Sequence, residues 1–106
     1  MKIEHENLAD GQHVYAAWVA ITHGAREAKV YIEPGVVVNA EARLVRFAKG
    51  GLRQIFSFEQ TYTDEIDAHA AVASELEAAA ERVAAVARGY REQAAALAAK
   101  AQVTYA

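Results

Sequence analysis

The stretch TDEIDAHAAVASELEAAAERVAAVARGYREQAAALAAKA, running from Thr63 to Ala101, decides the fold class. It contains no proline, and alanine, glutamate, leucine and arginine hold most of its positions, so it reads as one long helix. Thr63 reads as the N-cap, and Asp64, Glu65 and Asp67 fill the first turn, where the helix dipole favours acids. Before it lie the aromatic and β-branched residues and most of the glycines, which read as strands and turns. The fold class is therefore α+β: an antiparallel β-meander of four to five strands in residues 1–62, then a long C-terminal alanine-rich helix in 63–102 packed on one face. The whole forms a single domain of 106 residues.

Length sets a constraint on that helix. From Asp64 to Ala101 it would measure about 57 Å at 1.5 Å per residue, whereas a six-residue strand covers about 20 Å. The sheet cannot cover it all. Either the helix breaks, with Gly89 the weakest position, or its second half projects and needs another partner.

Read by sevens, the helix resolves into two columns. One is Ile66, Ala73, Ala80, Ala87, Ala94 and Ala101; the other is His69, Leu76, Val83, Tyr90 and Leu97. Small and large side chains in alternate layers are the pattern of a helix–helix seam. Val72 and Val86 widen the apolar face in the first half, while Gln93 and Lys100 narrow it in the second. A wide face suits a sheet and a narrow stripe suits a second helix, so Ile66–Val86 is expected on the sheet and Ala87–Ala101 against another helix. Charge is graded along the helix as well. Asp64 to Glu81 carries acids only, and Arg82 to Lys100 carries Arg82, Arg88, Arg91 and Lys100 against Glu92 alone. The gradient suits an antiparallel pair, and dipole matching within a single helix produces the same gradient.

Working back from the helix, Leu52–Tyr62 reads as the closing strand, with Leu52, Phe56, Phe58 and Tyr62 on one face. Lys49-Gly50-Gly51 is a hairpin loop, and Val36–Val38 with Glu41–Phe47 forms a strand interrupted near Asn39. Ala28–Glu33 is a strand with Val30 and Ile32 inward and Lys29, Tyr31 and Glu33 outward; Pro34-Gly35 ends it, because proline cannot donate to a ladder. His23-Gly24-Ala25-Arg26 is a turn. Gln12–Thr22 is the clearest strand. Val14, Ala16 and Trp18 alternate with Tyr15, Ala17 and Val19, so both faces are apolar and the strand is central. Trp18 and Tyr15 are then core residues. Asp10-Gly11 reads as a two-residue hairpin turn, and Met1–Leu8 as a first strand.

Composition narrows the chemistry. No cysteine is present, which excludes disulfides, zinc–thiolate sites and cysteine nucleophiles. The first residues carry no apolar run, and no stretch is long enough to span a membrane, so no signal peptide or membrane contact is expected and the location expected is cytoplasmic. The net charge of −3 speaks against a dedicated nucleic-acid binder. The bias to alanine, and to arginine over lysine, fits a GC-rich bacterial or phage genome.

His5, His13, His23 and His69 show no ligand spacing, and His13 and His23 lie about 34 Å apart along one strand reading. His69 reads as a hydrogen-bonded boundary residue. Ser57 and Ser74 sit in no nucleophile elbow, and Gly50-Gly51 lacks the residues of a phosphate loop. Glu33 and Glu59 line a pocket only if the sheet curves. No catalytic, metal or cofactor site is therefore expected.

The polar feature that stands out is Arg43, Arg46, Lys49 and Arg53, four cations with no acid between them and with Phe47 and Phe56 interleaved. This ribbon suits an acidic protein surface or nucleic-acid phosphates, and it also suits an edge hairpin kept soluble by charge. The expectation from sequence is a non-catalytic protein-binding or regulatory module, such as a small inhibitor or adaptor. It homodimerises through Leu76, Ala80, Val83, Ala87, Tyr90, Ala94 and Leu97 and meets another protein through the four cations. The alternatives are a nucleic-acid binder using hairpin 43–53, and a small enzyme or ligand carrier with an apolar pocket lined by residues such as Trp18 and Phe56.

Overall fold

The computed structural model describes residues 1–22 and 27–105, with side chains to Gln102. Among the described residues there are six strands: β1 (Lys2–Ile3), β2 (His13–Thr22), β3 (Glu27–Asn39), β4 (Leu44–Phe47), β5 (Gly51–Gln54) and β6 (Gln60–Tyr62). A 3-10 turn at His5–Asn7 follows β1, and one helix, α1 (Glu65–Tyr105), follows β6. The sheet is antiparallel throughout, in the order β1-β6-β2-β3-β4-β5. The fold is α+β. The meander is confined to β2–β5, and β6 returns to the opposite edge of β2. The expected turn at His23-Gly24-Ala25-Arg26 lies outside the described residues.

The return is short, and it dictates the curvature. Residues 55–59 join β5 to β6, which in a flat sheet would stand four strand spacings apart, about 19 Å. The sheet curls instead. Ile3, Leu8, Val14, Ala16, Val37, Val45, Phe47 and Ile55 form one buried cluster inside the curl, drawn from β1 through β4 and from the crossover. On the outer face Ala17 and Tyr62, with Tyr15, Val19 and Ile32, pack against Ala68 and Val72 of α1. Strand β2 is thus central, and both its faces are apolar because each meets a different core.

Several sequence expectations are corrected. The N-terminal strand is only Lys2–Ile3, and it pairs with Tyr62 and Thr61 rather than with β2. Asp10-Gly11 therefore turns the chain without making a hairpin: Gly11 has φ +80, its N–H donates to Val37 O at 2.7 Å, and Asp10 Oδ1 accepts from Ala40 N. Pro34-Gly35 does not end a strand, since β3 passes straight through it. Pro34 O accepts from Ala48 N at 3.2 Å, so the proline nitrogen faces that same side, where β4 is running out into a turn, and no bond to β2 is lost. Gly35 sits under β4, where a Cβ would stand 2.6 Å from Val45 Cγ1. Asn39 to Arg43 is a turn and not a strand interruption; Asn39 Oδ1 accepts from Ala42 N, and Arg43 takes φ +54.

Reading β3 through Pro34 also reverses its faces. Glu33 lies opposite Ala16, and Tyr31 opposite Trp18, so both point into the curl, while Ile32 faces the helix. Leu52–Tyr62 is not one strand but two, β5 at one edge and β6 between β1 and β2, and Leu52, Phe56 and Phe58 are exposed while Tyr62 is buried.

The helix cap is Asp64 rather than Thr63: Asp64 Oδ1 accepts from Asp67 N at 2.8 Å, and Asp64 O accepts from Ala68 N. The helix then runs unbroken through Gly89 to Tyr105. Its 41 residues span about 61 Å, which makes the molecule 75 Å long and only 23 Å wide. The sheet holds it through Ala68, Val72 and Ala79, with Leu76 partly covered. Expected packing over Ile66–Val86 is therefore too broad: Ile66 and Val86 are exposed.

Candidate functional site

Three features carry exposed or charged side chains in a defined arrangement. The first is the basic hairpin. Arg46 faces Leu52 across β4–β5, whereas Arg53 faces Val45, so the two arginines lie on opposite faces. Arg43 sits in the β3–β4 turn and Lys49 in the β4–β5 turn. The hairpin therefore does not gather its four cations on one surface.

Arg53 turns into the curl and joins a network that sequence reasoning missed. Its guanidinium meets the Glu59 carboxylate in two hydrogen bonds, of 2.9 Å (Nη1 to Oε2) and 2.6 Å (Nη2 to Oε1). Nη2 also donates to Tyr31 Oη, which in turn donates to Glu33 Oε2. Glu33 Oε1 accepts from Lys49 N at 2.9 Å, and Glu59 Oε2 accepts from Phe56 N at 2.8 Å. The arginine lies over the Phe47 ring, 4.2 Å from its centroid. Glu59 holds the guanidinium pKa above its usual value. Burial, aided by the bond to Glu33 and opposed by Arg53, pushes the Tyr31 phenol up to about 12. The network ties together β3, β5 and the crossover into β6. Among the described residues no buried side-chain polar atom lacks a partner. The signal in the sequence was parity: Tyr31, Glu33, Gly35 and Val37 alternate on one face once β3 is continued through Pro34.

Beside the network lies an aromatic rim. Phe56 and Phe58 stack at 5.3 Å and 9°, Trp18 meets Phe58 at 5.4 Å, and both phenylalanines are exposed. Trp18, expected in the core, is half-buried at this rim.

The third feature is the helix. Every described side chain from Ala80 to Gln102 is exposed, including Ala80, Ala87 and Ala94. The large apolar side chains that stand exposed on α1 are Ile66 (80%), Val83 (44%), Val86 (60%), Tyr90 (74%) and Leu97 (58%). All but Val86 fall on the two sevenfold columns. The sheet grips the row Ala68, Val72, Ala79, about a quarter-turn round the helix from the columns. The seam is consequently exposed at Ile66, Ala73, Ala80 and Val83 and on through Leu97, while Leu76 is partly covered by the sheet. Midway, Leu76, Ala80, Val83 and Ala87 form one wall of an apolar groove whose other wall is Ile21 and Ala28, at the end of the β2–β3 hairpin. His69 is exposed on the same seam, its Nδ1 donating to Glu65 O at 2.8 Å.

Among the described residues no three histidine or carboxylate side chains converge to hold a metal ion. No described helix is long and apolar enough to cross a membrane. Comparison of the chain with family models, curated proteins and solved structures finds no match.

Proposed function

We propose that this chain is a non-catalytic protein-binding module whose binding element is the projecting helix. The observation that carries the reading is the seam: Ile66, Val83, Tyr90 and Leu97 stand exposed along the two columns, and every described side chain from Ala80 to Gln102 is exposed. Most helical stability in proteins comes from tertiary packing, and the projecting half of this helix receives none from the sheet. A covering partner helix supplies what the sheet does not. Each large apolar side chain so buried contributes about 1.5–3 kcal/mol, and a two-helix seam buries several from each side, which is the scale needed to offset an association cost of about 4–15 kcal/mol.

The competing nucleic-acid reading needs the four cations of hairpin 43–53 as one ribbon. It is weakened because Arg53 is paired with Glu59 and faces away from Arg46.

The test is solution mass by light scattering over a dilution series, on the native chain and on Leu97→Glu. Leu97 lies far from the sheet, so the substitution leaves the fold intact. The reading predicts a native assembly larger than one chain and a folded monomer for Leu97→Glu. A native chain that is monomeric throughout, and that captures no helix-bearing protein, contradicts it.

A further inference from the structure

We infer that the occupant of the seam is a second copy of this chain, lying antiparallel, with Ala80 of one helix opposite Val83 of the other. The inference rests on the reading of the seam as a docking surface and names what docks there.

Layer composition selects the direction. A parallel, in-register pair would place alanine on alanine in one layer and Tyr90 on Tyr90, or Leu97 on Leu97, in the next, alternating gaps with crowding. The antiparallel register puts one small and one large residue in almost every layer. Ala80 meets Val83, Ala73 meets Tyr90, Ala87 meets Leu76 and Ala94 meets His69. Ile66 meets Leu97 at the ends, so two apolar side chains that are 80% and 58% exposed cover each other.

Charge agrees. The row flanking the alanine column is Ala70, Glu77, Ala84, Arg91 and Ala98. It holds two charges of opposite sign, both exposed. In antiparallel seams this row faces its own copy, so Glu77 lies beside Arg91 of the second copy, and the contact occurs twice by symmetry. In a parallel pair neither residue meets an opposite charge. Val86, the exposed apolar side chain outside the columns, belongs to the other flanking row and falls beside Ala79 of the second copy. The groove between Ile21, Ala28 and the seam residues Leu76 to Ala87 is centred on the two-fold axis of this register.

The test uses full-length chains carrying Glu77→Arg or Arg91→Glu, each checked for native helix content and then examined by light scattering alone and mixed. Each substitution alone opposes like charges at both contacts and weakens dimerisation by roughly five- to tenfold. In the equimolar mixture every contact between positions 77 and 91 again joins opposite charges, so dimerisation returns to near the native strength. Single variants that dimerise as well as the native chain, or a mixture no stronger than either alone, overturn the register while leaving the docking reading intact. A native chain that stays monomeric at all concentrations overturns the inference together with the reading beneath it.

Discussion

Arg53 and Glu59 clasp each other across the crossover from β5 to β6, through two near-parallel hydrogen bonds of 2.9 and 2.6 Å. Six residues apart in sequence, they fasten the segment that carries the chain from the edge strand β5 to β6, between β1 and β2. Glu59 is almost fully buried, its side chain 3% exposed. Removing the guanidinium leaves that carboxylate with the Phe56 N–H alone. Arg53→Ala is therefore expected to cost about 3 kcal/mol, the low end for breaking a buried pair because Arg53 itself is partly exposed. Urea denaturation checks this; a loss below about 1 kcal/mol would mean that the pair does not hold the crossover.

Gly35 lies beneath β4, where an added Cβ would approach Val45 Cγ1 to 2.6 Å, Phe47 Cδ1 to 3.1 Å and Arg46 O to 3.2 Å. Gly35→Ala is expected to destabilise by about 1–3 kcal/mol through overpacking. Val45→Ala removes the nearest clashing atom, so the double variant should lose less than the sum of the two single losses. A strictly additive pair, measured by thermal unfolding, would place the cost somewhere other than this contact.

Tyr31 ionises late. Burial, with the bond to Glu33, raises its phenol to about 12. The folded state thus holds this proton more tightly than the unfolded chain, whose tyrosines ionise near 10. The contribution of Tyr31 to stability is fully present below pH 10 and is lost as pH rises from 10 towards 12. Spectrophotometric titration of Tyr31→Phe against the native chain should remove a tyrosine that ionises above the exposed ones. Removal of an ordinary transition near pH 10 would contradict the environment described for Tyr31.

Gly89 is the weakest link of an otherwise alanine-rich helix, and a Cβ there would meet nothing within 4 Å. Gly89→Ala is expected to stabilise the helix by about 1 kcal/mol. Far-ultraviolet circular dichroism should show higher helicity on warming. An unchanged melting profile would imply that the projecting half is already held by something other than its own propensity.

What was legible in the sequence follows from where local signals and tertiary demands agreed. Strand β2 was readable because its alternation runs uninterrupted over many residues, and helix α1 because helix formers hold most of its positions with no proline among them. Of the residues on the two sevenfold columns, Ile66, Val83, Tyr90 and Leu97 stand exposed, while Leu76 is partly covered by the sheet. The face gripped by the sheet was not readable. In a helix where alanine fills every side, hydrophobicity does not distinguish Ala68 and Ala79 from Ala73 and Ala80. Pro34 misled because its rule concerns a missing N–H, and which side of the strand that nitrogen faces is a tertiary fact. Continuing β3 through it shifts Tyr31 and Glu33 inward, and with them the whole Arg53 network. The run Leu52–Tyr62 misled because five crossover residues with strand-like side chains look locally like more strand. Phe56 and Phe58 sit there, exposed, at a corner that only the curl of the sheet requires.

The most direct test of a covered seam is amide hydrogen exchange along α1 across a dilution series. The account predicts that residues 84–102 are protected at high concentration and lose that protection on dilution, while β2 and β3 exchange alike at every concentration. Rapid exchange of residues 84–102 even in the most concentrated sample would contradict it, because a seam with no second helix on it leaves those amides to the fraying of a single helix in water.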